Sequence, residues 1–158
     1  MKLLSYCFTA LLACLSYIQY SESVTSSCAD NTFHLNFTST TMVPDPPVQG
    51  STAFVNASGI VNEMVSNGTI SMYVLLDGVQ LYTNNANTCG QTVISLPLGF
   101  GTITINSLTC PTKPNTQQNI SIGVLVPSGI PSGTYTVIFN ATDQNNNNLY
   151  CLNATFNE

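Results

Sequence analysis

The sequence predicts an all-β protein, a two-sheet antiparallel β-sandwich. From Thr32 onward the chain is a succession of short runs rich in β-branched and aromatic residues, broken by Gly, Pro, Asn and Asp. Two Asx-Gly dipeptides, Asn67-Gly68 and Asp77-Gly78, stand ten residues apart and mark tight turns between antiparallel strands. No window of about 11 residues shows a capped amphipathic helical period.

Taken in order, Thr32 to Thr41 alternates Phe33, Leu35 and Phe37 against His34, Asn36 and Thr38, the pattern of a half-buried strand. Pro44-Asp45-Pro46-Pro47 stops it as a rigid edge, because proline cannot donate to a ladder. The run Thr52 to Val65 follows Gln49-Gly50, and Ser58-Gly59 is a candidate break within it. Thr69 to Leu76 puts Ile70, Met72, Val74 and Leu76 on one face and Ser71, Tyr73 and Leu75 on the other, and Asp77-Gly78 turns it into Val79 to Tyr82. Further runs stand at Thr92 to Leu96, Thr102 to Leu108, Asn119 to Val126, Gly133 to Thr142 and Leu149 to Phe156, with Asn145 to Asn148 as a polar hairpin tip. About seven to nine strands at this spacing form a sandwich, and the lack of any Trp sets it apart from true immunoglobulin domains, which bury one between two cysteines.

The 158 residues suit one domain. Only 6% of them are charged, and the two basic residues are Lys2 and Lys113. Nucleic-acid binding needs a patch of Lys and Arg, and attraction to an anionic membrane needs a basic cluster; neither can be built here. A partner must be held by apolar contact, neutral hydrogen bonds or shape.

Met1 to Ser23 reads as a secretory signal peptide: Lys2, a short apolar run from Leu3 to Leu15, and small residues at Ser21 and Ser23, with cleavage favoured after Ser23 over Ser16, and an uncleaved N-terminal anchor as the alternative. That leaves residues 24–158 as the single mature domain. The apolar run is too short for a spanning helix, no later stretch is long enough to cross a bilayer, and the C-terminal residues lack the tail of a glycolipid-anchor signal. The expected location is extracellular or the endosome-lysosome lumen. Six Asn-X-Ser/Thr acceptor sequons, at Asn36, Asn56, Asn67, Asn119, Asn140 and Asn153, agree with that route and offer the hydration that the missing charges do not.

Cys7 and Cys14 leave with the signal; Cys28, Cys89, Cys110 and Cys151 remain, and an even number in an oxidising compartment reads as two disulfides. Three pairings are open, of which Cys28 with Cys151 and Cys89 with Cys110 is favoured. The spacing matches neither a zinc ribbon nor a Cys-x-x-Cys redox site, and with His34 the sole histidine no metal site and no cofactor is expected.

The ordered set Cys28; Val43-Pro44-Asp45-Pro46-Pro47-Val48-Gln49-Gly50; Val74-Leu75-Leu76-Asp77-Gly78-Val79-Gln80-Leu81-Tyr82; Cys89; Cys110-Pro111; Ile130-Pro131-Ser132-Gly133-Thr134-Tyr135-Thr136-Val137; and Asp143-Gln144 to Cys151-Leu152 resembles the ML domain (MD-2-related lipid recognition). It is most similar to the Niemann-Pick type C2 and phosphatidylglycerol/phosphatidylinositol transfer branch, over nearly the whole mature chain. The resemblance implies an ML-type, immunoglobulin-like sandwich whose sheets splay to enclose an apolar lipid cavity, with the first and last cysteines joined. It implies transfer of phospholipid or sterol between membranes by a monomer in transient membrane contact. Two departures leave phospholipid at least as open as sterol: Asp45-Pro46-Pro47 stands where animal sterol carriers have a small extra disulfide loop, and the Cys89 to Cys110 loop is longer and more apolar.

The lipid-facing set implied by that cavity is Ile70, Met72, Val74, Leu76, Leu81 and Tyr82, with Val124 and Val126 opposite. Leu98-Gly99-Phe100-Gly101 is a candidate apolar tip at the mouth or in a membrane, or a buried turn. Lys113 is a solvated lysine or a phosphate contact, and His34 an exposed or hydrogen-bonded bystander. No Gly-x-Ser-x-Gly elbow, second histidine or free mature cysteine exists, and Asp30, Asp45, Glu63, Asp77, Asp143 and Glu158 lie mostly at turns or termini, so no catalytic residue is expected. The alternative to a carrier is a glycan-coated adhesion or coat sandwich with a filled core, and a cavity of several hundred Å³ would separate the two.

Overall fold

The computed structural model describes residues 23–97 and 101–158. The signal-peptide reading falls on residues 1–22, and most of the candidate apolar tip on Leu98, Gly99 and Phe100; both lie outside the described residues.

Ten strands run in chain order: β1 (Val24–Ser27), β2 (Leu35–Val43), β3 (Thr52–Val61), β4 (Gly68–Leu76), β5 (Val79–Asn87), β6 (Gln91–Ser95), β7 (Thr102–Asn106), β8 (Thr116–Leu125), β9 (Thr134–Asp143) and β10 (Asn148–Asn157). They form two five-stranded antiparallel sheets, β1-β10-β9-β4-β5 and β2-β3-β8-β7-β6. The predicted sandwich is what forms, with β1 as a strand that the sequence reading left out.

Alternation decides which side of each strand is buried. On β9, Tyr135, Val137, Phe139 and Ala141 point between the sheets, and Ile120 and Ile122 of β8 meet them from the other sheet. Tyr150 is fully buried, its ring edge-on to Phe37 at 5.5 Å and its hydroxyl 3.3 Å from Ser107 Oγ. The apolar Cys89 to Cys110 loop folds as the β6–β7 hairpin and places Ile94, Ile103 and Ile105 in the core.

The two Asx-Gly pairs part company. Asp77-Gly78 makes the β4–β5 hairpin, with both residues at positive φ (49° and 81°), as a type I′ turn requires. Asn67-Gly68 is not a hairpin: β3 and β4 lie in different sheets, and this dipeptide ends the crossing between them. Gly68 is required there by space, because a Cβ would collide with the Thr142 carbonyl oxygen of β9. Ser58-Gly59 does not divide β3; the strand runs through it, and the absent Cβ admits the Asn36 carbonyl of β2. Both disulfides join the favoured partners, Cys28–Cys151 and Cys89–Cys110. The first ties the segment after β1 to β10, the second the entry of β6 to the β7–β8 link.

Candidate functional site

The sandwich is filled at one end and hollow at the other. At the filled end lie the β3–β4 link, the β9–β10 hairpin tip and the Cys89–Cys110 bond, and the inward side chains Ile70, Met72, Phe139, Ile105, Ile122 and Leu152 leave no exposed surface. At the other end, beside the β4–β5 turn and the β8–β9 link, the sheets enclose a cavity of about 350 Å³.

Its walls come from both sheets. Val74 of β4, Tyr82 of β5, Tyr135 and Val137 of β9 and Phe156 of β10 face Ile103 of β7 and Val124 of β8, with Val126 just beyond. The mouth is framed by Leu81, Leu96, Pro97, Pro127, Ile130 and Pro131. A β-bulge between Val74 and Leu75 shifts the β4–β5 register, so consecutive residues Leu81 and Tyr82 both reach the cavity. Leu125 reaches the rim and packs against Gly101, whose φ of 102° and missing Cβ make the room.

Among the described residues the lining carries no charged side chain, and its hydroxyls are engaged. Tyr82 Oη accepts from Asn84 Nδ2 at 2.6 Å, and Tyr135 Oη donates to the Pro131 carbonyl at 3.0 Å. Burial, helped by the negative charges of Glu158 and Asp77, pushes the Tyr135 phenol above its ordinary value, so it stays a neutral donor. Its ring stacks on Phe156 with centroids 5.5 Å apart. Below the cavity a small void of about 20 Å³ continues between the sheets past Met42, Val55 and Phe139. Such a space offers dispersion contact and little else.

Of the lipid-facing residues expected from sequence, Val74, Leu81, Tyr82, Val124 and Val126 line this cavity. Ile70 and Met72 do not: they are wholly buried in the filled half. Leu76 packs over Gly133 at the edge of the core, outside the lining. Period-2 alternation sets the face of β4 correctly but says nothing of depth, and β4 runs from the filled end to the mouth. Tyr135, Val137, Phe156 and Ile103 belong to the lining and were absent from the expected set. Alternation along Tyr135-Thr136-Val137 signals their face, but only the pairing of β9 beside β4 puts them at the same depth as Val74.

The other singled-out residues lie elsewhere. Lys113 is exposed in the β7–β8 link, beside Thr112, whose N–H bonds Val65 of the β3–β4 link at the closed end, far from the mouth. His34 bonds Asn62 across the same end. Pro44 to Pro47 follow the edge strand β2. Four carboxylates serve as loop acceptors: Asp30 takes Thr32, Asp45 takes Ser23 (the last residue before the expected cleavage point), Asp77 takes the Thr134 N–H at 2.9 Å, and Asp143 takes the N–H groups of Asn145 and Asn147. Hydrogen bonds from the Thr32 side chain, then its N–H group, hold Asp30 below the usual carboxylate range. Among the described residues no cluster of His, Cys, Asp and Glu is arranged to hold a metal ion.

A two-sheet sandwich hollowed between its sheets and lined only by neutral side chains defines a container for apolar ligands. The chain belongs to the ML domain family, whose model matches residues 22–158. A Dictyostelium discoideum protein provisionally named a phosphatidylglycerol/phosphatidylinositol transfer protein is 28% identical over 98% of this chain and 97% of its own length. The phosphatidylglycerol/phosphatidylinositol transfer protein of Mycosarcoma maydis is 30% identical over 82% of this chain and 63% of its own. Chicken MD-1, solved in complex with lipid IVa, superposes with a TM-score of 0.56 at 15% identity, covering 89% of this chain and 91% of that one. A Niemann-Pick type C2 protein from Japanese carpenter ant superposes with a TM-score of 0.57 at 12% identity, over 85% and 98%. These structures share the fold.

Proposed function

We propose that this protein binds a membrane lipid with its hydrocarbon part between the two sheets and carries it between membranes as a monomer in transient membrane contact. The observation that carries the reading is the cavity of about 350 Å³ with an uncharged lining and an apolar mouth. A sandwich packed to ordinary protein density leaves no such space, which disfavours the filled adhesion-type module. The transfer names of these relatives, the first matched over 97% of its own length, support the same reading.

Burial releases about 0.8 kcal/mol per CH₂, roughly 12 kcal/mol for a sixteen-carbon chain, and withdrawal from a bilayer costs nearly the same. The difference is small, so loading and release both proceed. Phosphatidylglycerol or phosphatidylinositol is the favoured cargo, sterol the alternative. With no Arg fork and Lys113 at the far end, the headgroup sits at the mouth in water. Chemistry is not part of this function: the described lining holds no carboxylate, and Asp30, Asp77 and Asp143 are committed to loops. Two disulfides fit an oxidising compartment, and reading residues 1–23 as a signal peptide supports secretion or delivery to the endosome-lysosome lumen.

Native mass spectrometry of the secreted protein, with lipid extraction and a vesicle-to-vesicle transfer assay, tests the proposal. A discrete added phospholipid or sterol mass and protein-dependent transfer are expected. A bare mass that stays bare after incubation with mixed vesicles would overturn it.

A further inference from the structure

The outer face of the β2-β3-β8-β7-β6 sheet carries a second depression, of about 320 Å³, remote from the lipid cavity and opposite in chemistry. Its polar walls are Ser39 and Thr41 of β2, Asn56 and Ser58 of β3, Asn106 of β7, and Asn119 and Ser121 of β8. Every one is a neutral donor-acceptor group. Two acceptor sequons form its floor, paired residue for residue in antiparallel register: Asn56 opposite Ser121, Ala57 opposite Ile120, Ser58 opposite Asn119. Each Asn therefore faces the other sequon's Ser, and both carboxamides stand on one face as diagonal neighbours, about 7–8 Å apart.

The two are not equivalent. Asn56 is half-buried, and its Oδ1 accepts from Ser121 Oγ at 2.7 Å. Ser39 and Ser58 are joined at 2.8 Å, and Asn106 Oδ1 accepts from Gln91 Nε2 at 2.8 Å. Asn119 is exposed, and its carboxamide makes no hydrogen bond among the described residues. One sequon thus belongs to the wall of the depression, while the other projects its amide at the opening. A sugar ring with its hydroxyl and acetamido groups presents the same neutral hydrogen-bonding chemistry as these walls, and a charged ligand would find no counter-charge.

We propose that Asn119 carries an N-linked glycan whose first sugars seat in this groove against Ser39, Asn56, Ser58 and Asn106. The glycan then covers the polar face of one sheet, leaving the apolar mouth at the sandwich end free.

The test uses the full chain secreted from a eukaryotic host. Glycopeptide mass spectrometry is expected to find Asn119 occupied. Endoglycosidase trimming of the Asn119 glycan on the native protein is expected to run about tenfold slower than in the Ser39→Ala/Asn106→Ala variant, the protection that one or two net hydrogen bonds give. Neither substitution touches a sequon, and a thermal melt with disulfide-intact mass checks that the variant folds. An unoccupied Asn119 or equal trimming rates in the two folded proteins would each overturn the proposal.

Discussion

Glu63 Oε2 lies 3.7 Å from His34 Nδ1, which is itself 2.9 Å from Asn62 Oδ1, while Glu63 Oε1 is sealed from solvent without a hydrogen-bond donor. The Asp143 carboxylate shares this closed end. Burial pushes the Glu63 carboxyl above its ordinary 4.5; His34 pulls it down, and repulsion from Asp143 adds to the rise. For Asp143 burial also pushes upward, but the N–H groups of Asn147 and Asn145 outweigh it and hold the group below 3.8. The raised Glu63 contributes stability that is fully present below its unfolded value and is lost as pH rises through the folded one. The depressed Asp143 contributes stability that is present above its unfolded value and is lost as pH falls through the folded one. The melting temperature is therefore expected to rise as pH falls through the raised Glu63 value toward its ordinary 4.5, and to fall again as pH drops below the ordinary 3.8 of Asp143. Glu63→Gln is expected to melt higher than the parent at neutral pH and to flatten the rise on the approach to pH 4.5; an unchanged profile would refute this account.

The division of β4 by depth separates two phenotypes that one hydrophobic face would merge. Met72→Ala removes a wholly buried side chain from the filled half and is expected to cost about 2–5 kcal/mol in denaturant unfolding, with transfer by the folded fraction little changed. Val137→Phe adds volume into the cavity and is expected to abolish most lipid loading in native mass spectrometry, with a stability change under about 1.5 kcal/mol. Equal loading by the Val137→Phe protein and its parent would remove the cavity from the binding site.

How far the sequence could be read followed from which interactions are local. Alternation fixed the faces of β4 and β9, and Asp77-Gly78 fixed a hairpin, because both depend on neighbours along one strand or one turn. Depth in the sandwich did not follow: Ile70 and Val74 share a face and a residue type, and only sheet pairing sets one in the core and the other in the cavity. Asn67-Gly68 misled because two demands select the same residue, positive φ in a turn and close backbone approach at a crossing. The Leu81 bulge put adjacent residues into one cavity, which no period-2 pattern encodes. The meeting of His34, Glu63 and Asp143 was equally hidden, since it joins three segments far apart in the chain.

The two glycine positions at those Asx-Gly pairs give distinct expectations. At Gly78 a Cβ meets open space, so Gly78→Ala bears only the cost of holding φ at 81°, about 1 kcal/mol. At Gly68 the same methyl runs into the Thr142 carbonyl and crowds Thr88 Oγ1 at 2.8 Å, so β4 and β9 must part. Gly68→Ala is expected to destabilise by more than about 2 kcal/mol in denaturant titration. The reverse order would mean that the crossing is not held by this approach.

The disulfides close loops of very different length. Cys28–Cys151 spans 123 residues of sequence and Cys89–Cys110 only 21. In the chain-entropy description the first contributes about 5 kcal/mol and the second about 3. Cys28→Ser/Cys151→Ser is therefore expected to lose more stability than Cys89→Ser/Cys110→Ser. The short loop, however, frames the β6–β7 hairpin, whose Ile103 lines the cavity and whose C-terminal neighbour Leu108 N–H bonds the Thr88 carbonyl. Loss of the second bond is thus expected to reduce lipid loading out of proportion to its effect on stability, read by native mass spectrometry at a temperature where both variants remain folded. Loading that simply tracks stability in the two variants would show that the β6–β7 wall is held by its pairing to β8 alone.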